Sequence, residues 1–155
     1  MDFRPITIEE LLQRGRAVFA EHHREVGIAP YHDPLHRCVL DVNEGGLLAL
    51  ERVGCLLTVA AFDGEDLVGY AIATVAPHTF TNLVLVSGLT FYVHPKHRQG
   101  GAGRMLLEVL TKAAYARGEA VHWHAKAGSV FEHLLRRTGA RELERVYVLK
   151  EPTNG

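Results

Sequence analysis

Apolar positions change their spacing along the chain, and this change divides it into helical and extended regions. After a short predicted strand at residues 3–6, apolar residues recur at helical spacing over residues 8–26. Asp33-Pro34 pairs a capping residue with a proline in the first turn, which predicts a second helix ending near residues 43–46. The first third of the chain is therefore predicted to hold one strand and two helices.

The middle of the chain has the pattern of extended structure. Apolar runs at residues 55–62, 67–76 and 83–93 are typical of buried strands. The turn Asp63-Gly64-Glu65-Asp66 predicts a hairpin between the first two runs. Ser87-Gly88 interrupts the third run, and glycine inside a strand often marks a β-bulge.

The last third of the chain alternates between helices and strands. A helix is predicted at 102–117, a strand at 121–125, a helix at 130–138 and a last strand at 141–150. The order β α α β β β α β α β indicates a mixed α/β (α+β) fold with about six to seven strands and four helices. We expect one domain over residues 1–155, with a sheet that is antiparallel first and partly parallel later.

Composition excludes several classes of protein. The net charge is −1, which argues against a nucleic-acid binder held by bulk charge. The longest apolar run falls far short of the ~18 residues that a membrane span needs. The first residues are acidic and mixed, without an apolar signal region, so a cytoplasmic location is expected. Two cysteines make no disulfide framework and are expected to be buried thiols.

A glycine-rich loop at residues 99–103 joins the third apolar run to the next helix. Glycines let the main chain approach a ligand closely, and the free N–H groups of the first helical turn attract anions. Arg98 and Arg104 add charged donors, so a pyrophosphate is the expected guest. The loop is neither a Walker P-loop, since no Gly-Lys-Ser/Thr follows, nor a dinucleotide fingerprint, since Leu106 stands where the third glycine is needed.

The whole segment resembles a known motif. Val93-x-Pro95-x-x-Arg98-x-x-Gly101-x-Gly103, followed by Leu-Leu, is similar to the coenzyme-A-binding motif of the GNAT superfamily of N-acyltransferases. The order of elements matches that family over nearly all of the chain, and residues 76–101 look like its phage-type branch.

The resemblance implies that acetyl-CoA, as co-substrate, lies where strands four and five splay apart. Strand four would hydrogen-bond the pantetheine arm through its main chain, and the loop would hold the pyrophosphate through its N–H groups. The cofactor-binding residues implied in this way, with Ser129 added at the start of the last helix, are Phe91, Tyr92, Val93, Arg98, Gln99, Gly100, Gly101, Ala102, Gly103, Arg104 and Ser129.

The residues that many family members use for catalysis are absent. Ser87, Gly88 and Leu89 stand where those members carry Glu or His on strand four. Gly128 replaces an Asn after strand five, and Leu135 replaces the Tyr that serves as the acid. The resemblance therefore supports the CoA half of the site more strongly than the catalytic half.

Histidines are candidates to fill the gap. His122 and His124 alternate with Trp123, so both point to one face of strand five. If that face is the cleft, His124 is a candidate base and His122 its helper; if it is the other, both pack against a helix. Tyr92 is a candidate acid, and no metal is expected, because two histidines with no third ligand nearby make a poor metal site.

The acceptor is expected to be a primary amine of a small molecule or peptide. His78 and Tyr31 are candidate substrate contacts, and His22 lies in the helical region that forms part of the acceptor wall in this family. Pairing through the last strand would permit a homodimer. The expected function is an acetyl-CoA-dependent N-acetyltransferase acting by direct attack. The alternatives are a non-catalytic acyl-CoA-binding module and, more remotely, a His-rich metal protein.

Overall fold

A computed structural model describes residues 1–26, 40–117 and 121–143 of the chain. One five-stranded sheet runs through it in the order β1-β2-β3-β4-β5. The elements, in chain order and with a 3-10 turn at Pro95–His97, are β1 (Asp2–Pro5), α1 (Ile8–Arg14), α2 (Arg16–Val26), α3 (Glu44–Arg52), β2 (Leu56–Asp63), β3 (Asp66–Pro77), β4 (Val84–Val93), α4 (Ala102–Tyr115), β5 (Val121–Trp123) and α5 (Val130–Arg137).

Neighbouring strands β1 to β4 pair antiparallel, and β5 pairs parallel to β4. This confirms the predicted mixed sheet, antiparallel first and partly parallel later. The described residues hold five strands and five α-helices, which differs slightly from the predicted numbers. The predicted last strand at 141–150 falls mostly outside the described residues.

The two faces of the sheet carry separate apolar cores. On one face α1, α2 and α3 cover residues such as Ala60, Tyr70 and Tyr92. On the other face α4 covers residues such as Val59 and Val93. Side chains alternate along each strand, so consecutive residues of β4 face these two different cores.

Two helix predictions were wrong in detail. The predicted helix at 8–26 is two helices that meet at Gly15, and the apolar period did not reveal the break because both pack on the same face of the sheet. Residues 43–46 begin a helix rather than end one. Asn43 caps α3 by accepting a hydrogen bond from the Gly46 N–H at 3.0 Å. The glycine pair 45–46, which predicts the end of a helix, therefore lies in the first turn of α3.

The α4 face of the sheet depends on close packing between β4 and β5. The Trp123 ring lies so near Gly88 that a Cβ added there would stand 1.9 Å from Trp123 Cε3. Gly88 and Trp123 are also partners in the parallel register. Only a residue without a side chain fits at position 88.

Gly88→Ala is expected to destabilise the protein by about 2 kcal/mol, because the indole must move within a packed core. Urea unfolding followed by Trp123 fluorescence measures this change. The matched control is Gly45→Ala, since a Cβ at Gly45, in the first turn of α3, meets no atom within 4 Å. Equal stability of the two variants would contradict the packing described.

Candidate functional site

The pairing between strands β4 and β5 ends halfway along β4. Their parallel pairing joins Val86–Gly88 to Val121–Trp123, and β5 ends there. β4 continues to Val93 with β3 alone as its partner among the described strands. The main chain of residues 89–93 therefore has one edge without a strand, and this confirms the predicted splay.

A bulge marks the place where the strands part. Ile72 pairs with Thr90 and Ala73 pairs with Gly88, so Leu89 is the extra residue on β4. The bulge lies next to the predicted Ser87-Gly88 interruption. An extra residue bends a strand and increases its twist, which turns the remainder of β4 away from β5.

Aromatic rings fill the α4 side of this opening. Phe91 stacks on Phe131 of α5 with ring centroids 4.5 Å apart. Trp123 meets both rings edge-on, at 5.9 Å from Phe91 and 5.1 Å from Phe131. This cluster packs α5 against β4 and β5 at the place where their pairing ends.

The open edge of β4 offers donors in alternating positions. The His94 N–H donates to Val68 O across the β3 side at 2.8 Å. Because main-chain groups of a strand point alternately to its two sides, the N–H groups of Phe91 and Val93 face the open edge. A ligand with amide groups could extend the sheet at this edge.

The loop after β4 presents further free donors. Gly101 has φ +79°, a left-handed conformation that favours glycine, and it precedes α4 without a side-chain cap. Within the described residues, no hydrogen bond uses the main-chain N–H groups of Gln99 to Arg104. Together with the positive end of the α4 dipole, free N–H groups of this kind suit a phosphate-like anion.

A family model supports the resemblance that the glycine-rich segment indicates. The model described as "Acetyltransferase (GNAT) family" matches residues 16–135. The chain belongs to the GNAT family of acetyltransferases. Comparison with curated protein sequences finds no match.

Solved structures of GNAT proteins share the fold at low sequence identity. A ribosomal-protein-alanine N-acetyltransferase from Brucella melitensis biovar Abortus 2308 is 18% identical with a TM-score of 0.70, covering 97% of this chain and 100% of its own. An aminoglycoside acetyltransferase from an uncultured soil metagenomic sample, in complex with sisomicin, is 13% identical with a TM-score of 0.67, covering 99% and 96%. The aminoglycoside N-acetyltransferase AAC(6')-Iy, in complex with CoA, is 15% identical with a TM-score of 0.68, covering 98% and 100%.

Arg98 and Arg104, which flank the glycine loop, have different surroundings. The Arg98 Nε donates to Val93 O at 2.8 Å, and its two terminal nitrogens donate to the Glu25 carboxylate at 2.6 and 2.5 Å. Arg104 is exposed and lies 3.5 Å from the Glu108 carboxylate on the same helix. The Arg98 guanidinium is thus engaged within the protein, whereas Arg104 lies at the surface beside the loop.

Gly103 and Ser129 have structural partners. A Cβ at Gly103 would stand 3.1 Å from Leu134 Cδ2, so its small size serves the contact between α4 and α5. The Ser129 hydroxyl accepts the Glu132 N–H at 3.1 Å and caps α5. Ala102 is buried in the α4 core, while Gly100 is exposed, and a Cβ there would stand 3.9 Å from His97 O.

The structure decides which face of β5 carries the predicted histidines. Trp123 packs into the α4 core, so His122 faces the side of the sheet that carries α1 and α2, and His124 comes directly after the end of β5. Both residues are exposed, and His122 is the register partner of Ser87 on β4. His122 therefore lies on the same face as Tyr92.

The other predicted substrate contacts lie elsewhere. His78 is in the turn between β3 and β4, at the opposite end of β4 from the glycine loop, and its Nδ1 accepts the Phe80 N–H at 3.3 Å. Tyr31 lies outside the described residues. In the described parts of the chain, no group of His, Cys, Asp and Glu suits a metal ion, and no helix is long and apolar enough to cross a membrane.

A polar aromatic cluster occupies the α1–α2 face beside the loop. His22 Nδ1 lies 2.6 Å from the Tyr70 hydroxyl, and its ring stacks on Tyr92 at 4.5 Å. Tyr92 is 3% exposed, and the Arg98 guanidinium lies 5.5 Å from the centre of its ring. The sequence predicted His22 on the acceptor wall and Tyr92 on strand four. No pattern in it indicated that Tyr70 and Glu25 join them.

Burial shifts the titration of this cluster. Desolvation lowers the pKa of His22 to about 4, against the attraction of Glu25, and raises the pKa of Tyr70 to about 12. Burial likewise raises the pKa of Tyr92. The hydrogen bonds from Arg98 lower the pKa of Glu25. At neutral pH the cluster therefore holds a neutral imidazole, two protonated phenols and a charged Glu25–Arg98 pair.

Stability is expected to fall as pH decreases from about 6.5 to 4. Across this range the unfolded chain protonates His22 and the folded protein resists doing so, so protons favour unfolding. Since the ring is partly exposed, we expect a loss of about 2 kcal/mol from this residue. Thermal unfolding at pH 7, 6, 5 and 4 measures it.

His22→Gln removes this titration while keeping a group that can bond to Tyr70, so its pH dependence should be flatter than that of the wild type. His23→Gln changes the neighbouring histidine and is the matched control, which should retain the wild-type slope. Identical slopes in all three proteins would contradict the assignment to His22.

Proposed function

We propose that this GNAT protein transfers an acetyl group from acetyl-CoA to a primary amine of a small molecule or peptide, by direct attack. The observation that carries the proposal is continuity: the free N–H groups of the glycine loop adjoin the open edge of β4. One end suits a pyrophosphate and the other suits an arm that contains amides. Acetyl-CoA has both parts in that order.

The residues of the chain would divide the work in a simple way. The N–H groups of Gln99 to Arg104 would bind the pyrophosphate, and those of Phe91 and Val93 the pantetheine arm. A free N–H at the open edge of β4 would stabilise the oxyanion as the amine attacks the thioester, and one such donor is typically worth about 3 kcal/mol. The splay would give the amine access to the thioester carbon.

Proton transfer is assigned to the side chains on the α1–α2 face. An amine with a pKa of about 10 must lose a proton before it attacks, and His124, assisted by His122, is the proposed base. Tyr92 is the proposed source of the proton that the CoA thiolate takes up, because a phenol is protonated at neutral pH. His78 and Tyr31 remain proposed contacts to the acceptor.

The structural neighbours support an amine acceptor. One of them is a ribosomal-protein-alanine N-acetyltransferase and another is an aminoglycoside acetyltransferase, and both kinds of acceptor present amines. We further propose a cytoplasmic location and a homodimer of single-domain chains. The predicted dimer strand lies mostly outside the described residues, and sedimentation velocity tests for the dimer.

Calorimetry with acetyl-CoA, and with free CoA as reference, is the direct test of the ligand. One-to-one binding supports the proposal, and absence of binding at millimolar ligand overturns it. Release of free CoA with a panel of amines then separates the enzyme from the alternative. Binding without release for every amine would favour a non-catalytic acyl-CoA-binding module, which the missing family Glu and Tyr also suggest.

Gly100→Asp is expected to weaken CoA binding at least 100-fold, because it places a carboxylate beside the donors that would hold the pyrophosphate. Gly100→Ala is the matched control: a Cβ there meets nothing closer than His97 O at 3.9 Å, so affinity should stay within about threefold. Calorimetry measures both. Equal affinity of the Asp and Ala variants would place the phosphate site elsewhere.

His124→Ala is expected to lower the rate constant about 100-fold, with acetyl-CoA affinity unchanged, since a base acts on the amine and not on the CoA. The reaction is followed by CoA release with an amine that the wild type accepts. His133→Ala, an exposed histidine on α5, is the matched control. A wild-type rate for His124→Ala would remove this residue from the mechanism.

A further inference from the structure

One side chain fastens helix α2 to the start of the glycine loop. Arg98 donates through Nε to Val93 O at the end of β4, and its two terminal nitrogens grip both oxygens of Glu25 in the last turn of α2. The Arg98 guanidinium also lies 5.5 Å from the centre of the Tyr92 ring. The end of β4, the last turn of α2 and the start of the glycine loop therefore meet at Arg98.

The geometry of this contact distinguishes it from the surface ion pairs of the same helix. A two-pronged arginine–carboxylate pair fixes orientation as well as distance. The Glu25 and Arg98 side chains are 38% and 27% exposed, whereas the local Glu21–Arg24 pair is 40% and 70% exposed. His22, one turn before Glu25, adds a second attachment of α2 to the sheet through Tyr70 and Tyr92.

The pair also changes how the loop attracts an anion. Glu25 neutralises the charge of Arg98, so the main-chain N–H groups remain as the donors that the loop itself offers. Their direction depends on the angle at which the loop leaves β4. Arg98 sets that angle because it binds Val93 O on one side and α2 on the other.

We infer that Glu25 is a positioning residue for the acyl-CoA loop, acting through Arg98 without touching the ligand. The inference rests on the proposed function. It means that ligand binding at the loop and the placement of α2 are coupled, since each stabilises the arrangement that the other requires. Helix α2 would thus be held in place by the same contact that shapes the CoA site.

Glu25→Gln tests the inference, with Glu21→Gln as the matched control that removes the same charge from the same helix. We expect Glu25→Gln to weaken CoA binding about five- to tenfold and Glu21→Gln to stay within twofold. Calorimetry also separates positioning from misfolding, because a smaller folded fraction lowers the stoichiometry and leaves Kd unchanged. Unchanged or tighter binding by Glu25→Gln would overturn the inference, and tighter binding would show that Glu25 merely offsets the Arg98 charge.

The Arg98→Gln background tests whether Glu25 acts through Arg98. Glutamine can still reach a carbonyl but cannot form the two-pronged pair. Glu25→Gln should therefore have no further effect on Kd in this background. Independent, additive losses from the two substitutions would contradict the proposed route.

Hydrogen exchange tests the same inference without a ligand. The His97 N–H donates to His94 O and the Arg98 N–H to Pro95 O, so both amides report on the turn before the loop. We expect them to exchange about fivefold faster in Glu25→Gln and at the wild-type rate in Glu21→Gln. If the wild type bound no CoA but this difference appeared, the proposed function would fail and the positioning role would stand. Equal exchange in both variants would overturn that role.

Discussion

The contact between the Trp123 ring and Gly88 determines where the sheet opens, and the rest of the site depends on that place. The indole occupies the space that any side chain at position 88 would need, and the β4–β5 ladder ends at this pair. Beyond it, Phe91 and Phe131 complete the apolar packing while β4 runs on without a β5 partner. Apolar contacts on one face thus leave an edge of hydrogen-bonding groups exposed beside them.

Near the end of β4, the face of the sheet opposite α4 is polar. Strand alternation sends Phe91 and Val93 toward α4 and sends Tyr92 toward α2, so one stretch of β4 serves two environments. The α2 face holds a neutral His22 between two tyrosines, with the charged Glu25–Arg98 pair next to it. The loop begins at the end of β4, so it adjoins both cores.

Local signals in the sequence predicted the parts of the fold that depend on local physics. The predicted strands at 55–62, 67–76 and 83–93 closely match β2, β3 and β4, because buried strands need continuous apolar runs. The glycine loop was predicted because Gly101 adopts a left-handed conformation that few other residues accept. The start of α3 was missed, because Asn43 can open a helix as readily as it can follow one.

Long-range contacts account for what the sequence could not predict. Glu25 and Arg98 are 73 residues apart, and neither position has a local pattern that indicates the other. The histidines differ for the same reason: His22 is held between two tyrosines, whereas His122 is exposed because Trp123 takes the buried face of β5. The alternation of His122, Trp123 and His124 predicted two faces, but the choice of face required the position of α4.

The placement of Arg98 separates the identity of a motif residue from its role. An arginine beside a glycine loop is readily interpreted as a phosphate ligand, because its charge and its donors suit one. Here both terminal nitrogens bind Glu25 and Nε binds Val93 O, so the side chain stabilises the loop from within. A main-chain site recognises an anion by the direction of its N–H groups, and such directions hold only if the loop is fixed. An arginine held by three hydrogen bonds supplies that rigidity. A surface arginine that is free to bind a phosphate would not.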